Sequence, residues 1–158
     1  LGVTDVEKTL VLIKPDAIER GMIGRIISRF EDKGLTIVGF KMLSAHAALL
    51  EEHYSHLKDK PFFPRIKEFM TTTPIIAMCV AGLDAVDVVR SLCGVTNSRQ
   101  AAPGTIRGDW GMSIQSNLVH ASDSKETAEV EIDRFFEKDE IFEYKRMLEN
   151  IIYAPDER

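Results

Sequence analysis

The sequence predicts an α+β fold, a four-stranded antiparallel sheet with helices joining its strands. Three observations carry that prediction. Short apolar, β-prone runs recur along the chain, at residues 9–13, 35–43, 74–81 and 115–121. Between them stand segments whose apolar residues repeat at helical spacing. Nothing divides the chain: no repeat, low-complexity tract or linker interrupts it, so residues 1–158 read as one domain.

The elements follow in order. The run 9–13 ends at Lys14-Pro15-Asp16, a buried strand entering a turn. Ile23, Ile26, Ile27 and Phe30 fall on one helical stripe, with Gly34 as the C-cap. After the second strand, Ser44 is expected to cap a helix carrying Leu49, Leu50, His53, Tyr54 and Leu57. Pro61 should open a further short helix with Phe62, Phe63, Ile66 and Phe69. The third strand leads into a helix over about 84–92, with Val88, Val89 and Leu92 inward. Residues 93–114 show no periodicity, and loops of that length in compact domains usually serve function. The fourth strand is followed by a helix burying Ala128, Ile132, Phe135 and Phe136, with Asp123 and Glu126 as its capping pair. This order suits a ferredoxin-like βαββαβ sandwich with helices on one sheet face.

Bulk properties narrow the function. A net charge of −5 argues against nucleic-acid binding through a basic surface. The longest apolar run, 75–83, is too short to cross a bilayer. Asp5 and Glu7 precede the first apolar run, which does not read as a signal peptide. Leu1, where methionine would open a chain, is the mark expected of a trimmed or partial one. Cys79 and Cys93 have no metal or redox spacing; Cys79, inside an apolar run, reads as a buried free thiol. A reducing cytoplasm is the expected location.

Several chemistries drop out. There is no G-x-x-x-x-G-K-[ST] loop and no G-x-G-x-x-G after a strand, so a P-loop kinase is not expected. His46, His53 and His56 share one segment, but only His53 and His56 share a face. Without a third ligand this is an ordinary amphipathic helix and not a zinc site.

His120 stands at the end of the fourth strand, just before a helix start. Alone it would be a structural histidine. Glu131 lies three residues after Ala128 and four before Phe135, sharing part of their inward stripe. A carboxylate there can hold one imidazole nitrogen and leave the other lone pair free, with Ser122 as a bridge. The alternative for Glu131 is a helix-flank side chain reaching solvent. Lys14, Arg90 and Arg107 supply the local positive charge that an anionic ligand of an acidic protein requires. Each alone would be a solvated surface charge, though Lys14, closing an apolar strand, must snorkel or meet a partner.

Lys14-Pro15-Asp16, His53-Tyr54, Lys60-Pro61-Phe62-Phe63, Thr96-Asn97, Pro103-Gly104-Thr105-Ile106-Arg107-Gly108-Asp109 and Asn117-x-x-His120-x-Ser122-Asp123 together resemble nucleoside diphosphate kinases, over a core of about 7–153. The resemblance implies a ping-pong transfer of the γ-phosphoryl of a nucleoside triphosphate to a nucleoside diphosphate through phosphohistidine, maintaining NTP and dNTP pools. It implies His120 as nucleophile, Glu131 as the partner of its other nitrogen, and Ser122 as support for that carboxylate. Lys14 would touch phosphate and the 3′-hydroxyl, Tyr54 would lie against the histidine, and Asn117 would bind ribose. Arg90, Thr96 and Arg107 would hold the β- and γ-phosphates. Phe62 would stack on the base, with Ile66 and Ile114 completing an apolar slot, which tolerates any base. Mg²⁺ would ride on the nucleotide phosphates and need no cage of protein ligands.

The tail 151–158 resembles the longer ending of homohexameric relatives built from dimers, with a homotetramer as the alternative. Two departures stand out: Ala121 where relatives carry glycine, which requires negative φ, and Ser98 where proline is common, which should loosen the loop. A nucleotide-binding protein without chemistry is the competing reading, but a pure binder has no need of a supported nucleophile.

Overall fold

The computed structural model describes residues 6–157, so the readings of Leu1, Asp5 and Arg158 lie outside the described residues. In chain order the elements are β1 (Glu7–Ile13), α1 (Pro15–Glu19), α2 (Ile23–Lys33), β2 (Thr36–Leu43), α3 (Ala47–His53), α4 (Phe63–Met70), β3 (Ile75–Gly82), α5 (Ala85–Cys93), α6 (Ile106–Trp110), β4 (Val119–Ala121), α7 (Lys125–Phe135) and α8 (Glu149–Ile152), with short 3₁₀ turns between some of them. The strands form one sheet of order β2-β3-β1-β4 with every pairing antiparallel. The predicted ferredoxin-like α+β architecture is what the chain adopts.

Strand alternation sorts the core into two layers. Val11 and Ile13 of β1, with Ile76, Met78 and Val80 of β3, face α2 and α5 through Ile26, Phe30 and Val89. Leu10 and Leu12, with Ala77 and Cys79, face the opposite layer of Leu50, Met70 and Phe135 from α3, α4 and α7. Helices therefore cover both faces, which corrects the expectation of one covered face. The reason lies in β3: all eight of its residues are buried, and a strand apolar on both sides needs cover on both sides. Each fully buried side chain of the size of Leu12 or Phe30 contributes about 1.5–3 kcal/mol.

Gly34 takes the C-cap of α2 at φ 104°, and the left-handed conformation there explains the glycine. The α3 cap is His46, not Ser44: its imidazole accepts from the Leu49 N–H at 3.2 Å. Pro64, in the first turn of α4, opens that helix in place of Pro61. Lys14-Pro15-Asp16 enters a helical turn, α1, because a proline at the first position suits a helix start. The α7 cap is Ser124, whose Oγ accepts from Thr127 N–H, while Asp123 pairs with Arg90.

The fourth strand is much shorter than 115–121. Pairing with β1 covers only Val119, His120 and Ala121. Leu118, fully buried, sits at φ 74°, and a bulky residue in that region interrupts an extended ladder. Nor is 93–114 without structure, since α6 lies within it. The α6 cap Thr105 accepts from Gly108 N–H at 2.9 Å. A side chain at Gly108 would put its Cβ 2.0 Å from the Ala102 carbonyl oxygen, so glycine is obligatory there. Among the described residues no helix is long and apolar enough to cross a membrane.

Candidate active site

The register of β4 places His120. It pairs with Leu12 of β1, so the two side chains share a sheet face, the one packed by α3 and α7. The imidazole therefore meets Glu131 from α7 and His53 from α3. Both carboxylate oxygens of Glu131 lie on Nε2 of His120, at 3.1 and 3.0 Å. A carboxylate only accepts, so the proton resides on Nε2 and the Nδ1 lone pair is left free. Glu131 is buried, as its stripe position allowed, and not a flank residue reaching solvent. Burial by itself would raise its pKa. The hydrogen bond and charge of His120, with the Ser122 hydroxyl, outweigh burial and hold the carboxyl at about 2. Ser122, fully buried, also accepts from the Leu10 N–H at 3.3 Å, which ties the carboxylate to β1.

His53 was missed as a site residue. Its ring meets His120 edge-on at 4.6 Å between centroids, and Tyr54 and Phe135 similarly at 4.8 and 5.1 Å. Tyr54 thus has a ring contact with His53 and lines the same cavity as His120. Its hydroxyl, pushed upward by burial and then by Glu131, stays protonated and able to donate. Burial, then the neighbouring His120, lowers His53 to about 3, so it is neutral. Its Nδ1 lies 3.0 Å from Arg134 and 3.4 Å from Glu131. His53, His120 and Glu131 bring three ligand-type atoms within 4.8 Å of one another. The Arg134 cation against Nδ1 and the proton shared with Glu131 make this a hydrogen-bonded set, not a metal centre. The sequence offered one signal for Arg134: it falls three residues after Glu131 on the same helix.

His120 opens into a cavity of about 810 Å³ whose walls include Lys14, Tyr54, Arg90, Thr96, Arg107 and Asn117. Lys14 Nζ donates to Asn117 Oδ1 at 2.8 Å, and Asn117 Nδ2 donates to the carbonyls of Thr96 and Ile114. The half-buried Lys14 has the partner its strand-end position demanded. Desolvation, then the nearby Arg107, lowers it to about 8, against a smaller opposing pull from Asp16. Arg107, buried, donates from Nε to Asn117 O at 3.2 Å, from Nη1 to Gly94 O at 2.7 Å and from Nη2 to Val119 O at 2.7 Å. Two of its five N–H groups stay available. Arg90 pairs with Asp123 at the surface, 2.5 Å apart. Phe62, Ile66 and Ile114 are not among the walls of this cavity. Phe62 and Ile114 are exposed at 45% and 52%.

Asp16 and Leu118 were also missed. Asp16 Oδ2 accepts from the Leu118 N–H at 3.0 Å, and Leu118 O accepts from Lys14 N–H at 2.9 Å. These bonds hold the left-handed residue that aims His120; strain of this kind is typical of active sites. Ala121 lies in β4 without positive φ, so alanine is accommodated. The buried Ser98 donates its N–H to Ser113 O at 3.4 Å, a bond that proline could not make, so the loop is tied there.

A carboxylate-held histidine facing a cationic cavity on this sheet defines a ferredoxin-like domain suited to phosphate esters. The nucleoside diphosphate kinase family model matches residues 7–141. The nucleoside diphosphate kinase of Parabacteroides distasonis is 57% identical over 96% of this chain and 99% of that protein. That of Pyrococcus horikoshii is 52% identical over 90% and 93%. The structure of a halophilic nucleoside diphosphate kinase from Halobacterium salinarum in complex with CDP superposes at a TM-score of 0.92, with 43% identity over 95% of this chain and all of that one. The chain belongs to the nucleoside diphosphate kinase family.

Proposed function

We propose that this chain is a nucleoside diphosphate kinase working by a ping-pong mechanism through phosphohistidine on His120. The observation that carries the reading is the double contact of Glu131 with Nε2, which leaves Nδ1 as the nucleophilic atom. Nδ1 forms the bond to the γ-phosphorus as the bond to the β,γ-bridging oxygen breaks, and the nucleoside diphosphate leaves. A second diphosphate then takes the phosphoryl group by the reverse step. Glu131 stabilises the positive charge that develops on the ring. Lys14, Arg90 and the two free N–H groups of Arg107 neutralise the phosphoryl oxygens, with Thr96 as a further donor.

Asn117 reaches ribose through the amide oxygen it now shares with Lys14, and Lys14 reaches the 3′-hydroxyl. Phe62 stacks on the base against Ile66 and Ile114, with broad tolerance of bases and of deoxyribose. The CDP complex of the halobacterial relative supports a nucleoside diphosphate as ligand. Mg²⁺ fits as a passenger of the phosphates: of the three carboxylates lining the cavity, Glu131 and Asp123 are engaged with His120 and Arg90, and Glu126 alone cannot make a cage of protein ligands. Bound there, it would neutralise charge on the transferred group. Incubation with γ-labelled ATP and Mg²⁺ should give an acid-labile phosphoprotein that passes its label to GDP; absence of label overturns the reading.

Lys14 gives a pH prediction. With its ammonium lowered to about 8, the free enzyme loses that charge above pH 8. kcat/KM should then fall by about tenfold per pH unit on the alkaline side. In Lys14→Arg the limb should move beyond the measurable range; a limb unchanged in that variant would show another group to be responsible.

Assembly is proposed as a homohexamer built from dimers, with a homotetramer as the alternative. β2 is an edge strand, and its Phe40 and Met42 are 49% and 56% exposed. Light scattering should give six copies, and a stable monomer would refute the proposal. A reducing cytoplasm suits the two buried free thiols, Cys79 and Cys93, which burial pushes up to about 11.

A further inference from the structure

Glu131 faces two histidines and can serve only one of them fully. Its Oε2 is 3.0 Å from Nε2 of His120 and 3.4 Å from Nδ1 of His53. If His53 carried its proton on Nδ1, it would donate to the carboxylate and compete with His120. What opposes this is Arg134, whose Nη1 stands 3.0 Å from the same Nδ1. A guanidinium has donors and no acceptor, so the contact requires a bare Nδ1 and puts the His53 proton on Nε2. The Nε2 atom is buried with no hydrogen-bond partner among the described residues, so nothing on its own side selects that tautomer. Arg134 Nε lies 3.3 Å from a Glu52 oxygen, an ion pair without hydrogen-bond geometry, and the side chain is 12% exposed.

We propose that Arg134 is a positioning residue for phosphoryl transfer: by occupying Nδ1 of His53 it reserves Glu131 for Nε2–H of His120. The bare Nδ1 and Glu131 Oε2 then face one another without a shared proton, and the Arg134 cation offsets the repulsion between them. The remaining groups at His53 fit this arrangement. Tyr54 and Phe135 meet its ring edge-on, and the Lys14 ammonium favours its neutral form. The consequence for His120 is a single tautomer, with Nδ1 aimed into the cavity. The proposal rests on His120 as the phosphoryl carrier.

Histidine ¹⁵N NMR of the whole protein reads the tautomer directly and needs no activity. In the native chain His53 should show a pyridine-type Nδ1 and a protonated Nε2; a protonated Nδ1 would overturn the proposal. Arg134→Met should move that proton to Nδ1 and lower the His120 phosphorylation rate about 3- to 10-fold, with nucleotide KM within about twofold. Arg134→Lys, which keeps a cationic donor, should restore the tautomer and most of the rate. In a His53→Phe background the competitor is gone, so Arg134→Met should change the rate by less than about twofold. An equal loss in both backgrounds, or a change confined to KM, refutes the positioning role. Should Arg134→Met not fold, the native His53 spectrum decides. Labelling of the native chain and its dependence on His120 are tested separately, so failure here leaves the phosphohistidine reading intact.

Discussion

His120→Gln should lower phosphoryl transfer by about 10⁴-fold or more and abolish the acid-labile phosphoprotein. The substitution isolates the nucleophile because little else changes. Glutamine keeps an N–H donor at the place of Nε2 for Glu131, so the buried carboxylate need not lose its partner. It lies in the three-residue strand β4, opposite Leu12, where backbone pairing is unaffected. What disappears is the second ring nitrogen, the atom that would form the bond to phosphorus. Single-turnover labelling with γ-labelled ATP checks the chemistry, and a melting curve within a few degrees of the native protein checks the fold. Labelling that survives in the variant would remove His120 from the reaction.

Arg107→Met should destabilise the chain by about 3–5 kcal/mol, chiefly by stranding buried acceptors. Methionine fills much of the same volume, so the loss measures hydrogen bonding more than a cavity. The three carbonyls left behind belong to Gly94, Asn117 and Val119. Two of these flank Leu118 and one opens the long loop, so Arg107 clamps the loop to the strand that carries His120. For a domain of this length the shift corresponds to about 10 °C in melting temperature. Arg107→Lys should recover little, because one ammonium lacks the planar fork that reaches three separate oxygens. A drop below about 2 °C in Arg107→Met would show that water replaces the clamp. Resemblance made Arg107 a phosphate ligand; its main occupation in this structure is with the backbone, which leaves two N–H groups for phosphate.

Much of this molecule was legible because the relevant signal is local. The strands 9–13, 35–43 and 74–81 were found within two residues, since continuous β-prone runs mark strands; β1 and β3 are buried on both faces, while β2 lies at the sheet edge and is partly exposed. The same feature implied two helical layers, an implication overlooked in expecting one. Glu131 was legible because helix periodicity alone turns it inward beside Ala128 and Phe135. Cap assignments failed where two candidates stood close together: Ser44 or His46, Pro61 or Pro64, Asp123 or Ser124. The choice between them depends on which side chain the surrounding structure leaves free. Asp123 lost its cap role to Arg90, a residue from another helix. The short α6 was hidden because five residues are too few to display a period.

By itself, then, the sequence determined the strands, the histidine with its carboxylate and the cations that gather near it. Each depends on residues that are neighbours in the chain, or on a periodicity that survives any tertiary arrangement. Tertiary structure alone decided which nitrogen of His120 is free, because that follows from where the Glu131 oxygens lie. It decided that Leu118 adopts φ 74°, through Asp16, 102 residues away. It also decided that Arg134 meets His53 across 81 residues of chain. Hydrogen bonds are directional and short-ranged, and no residue pattern encodes an angle between side chains brought together only by packing.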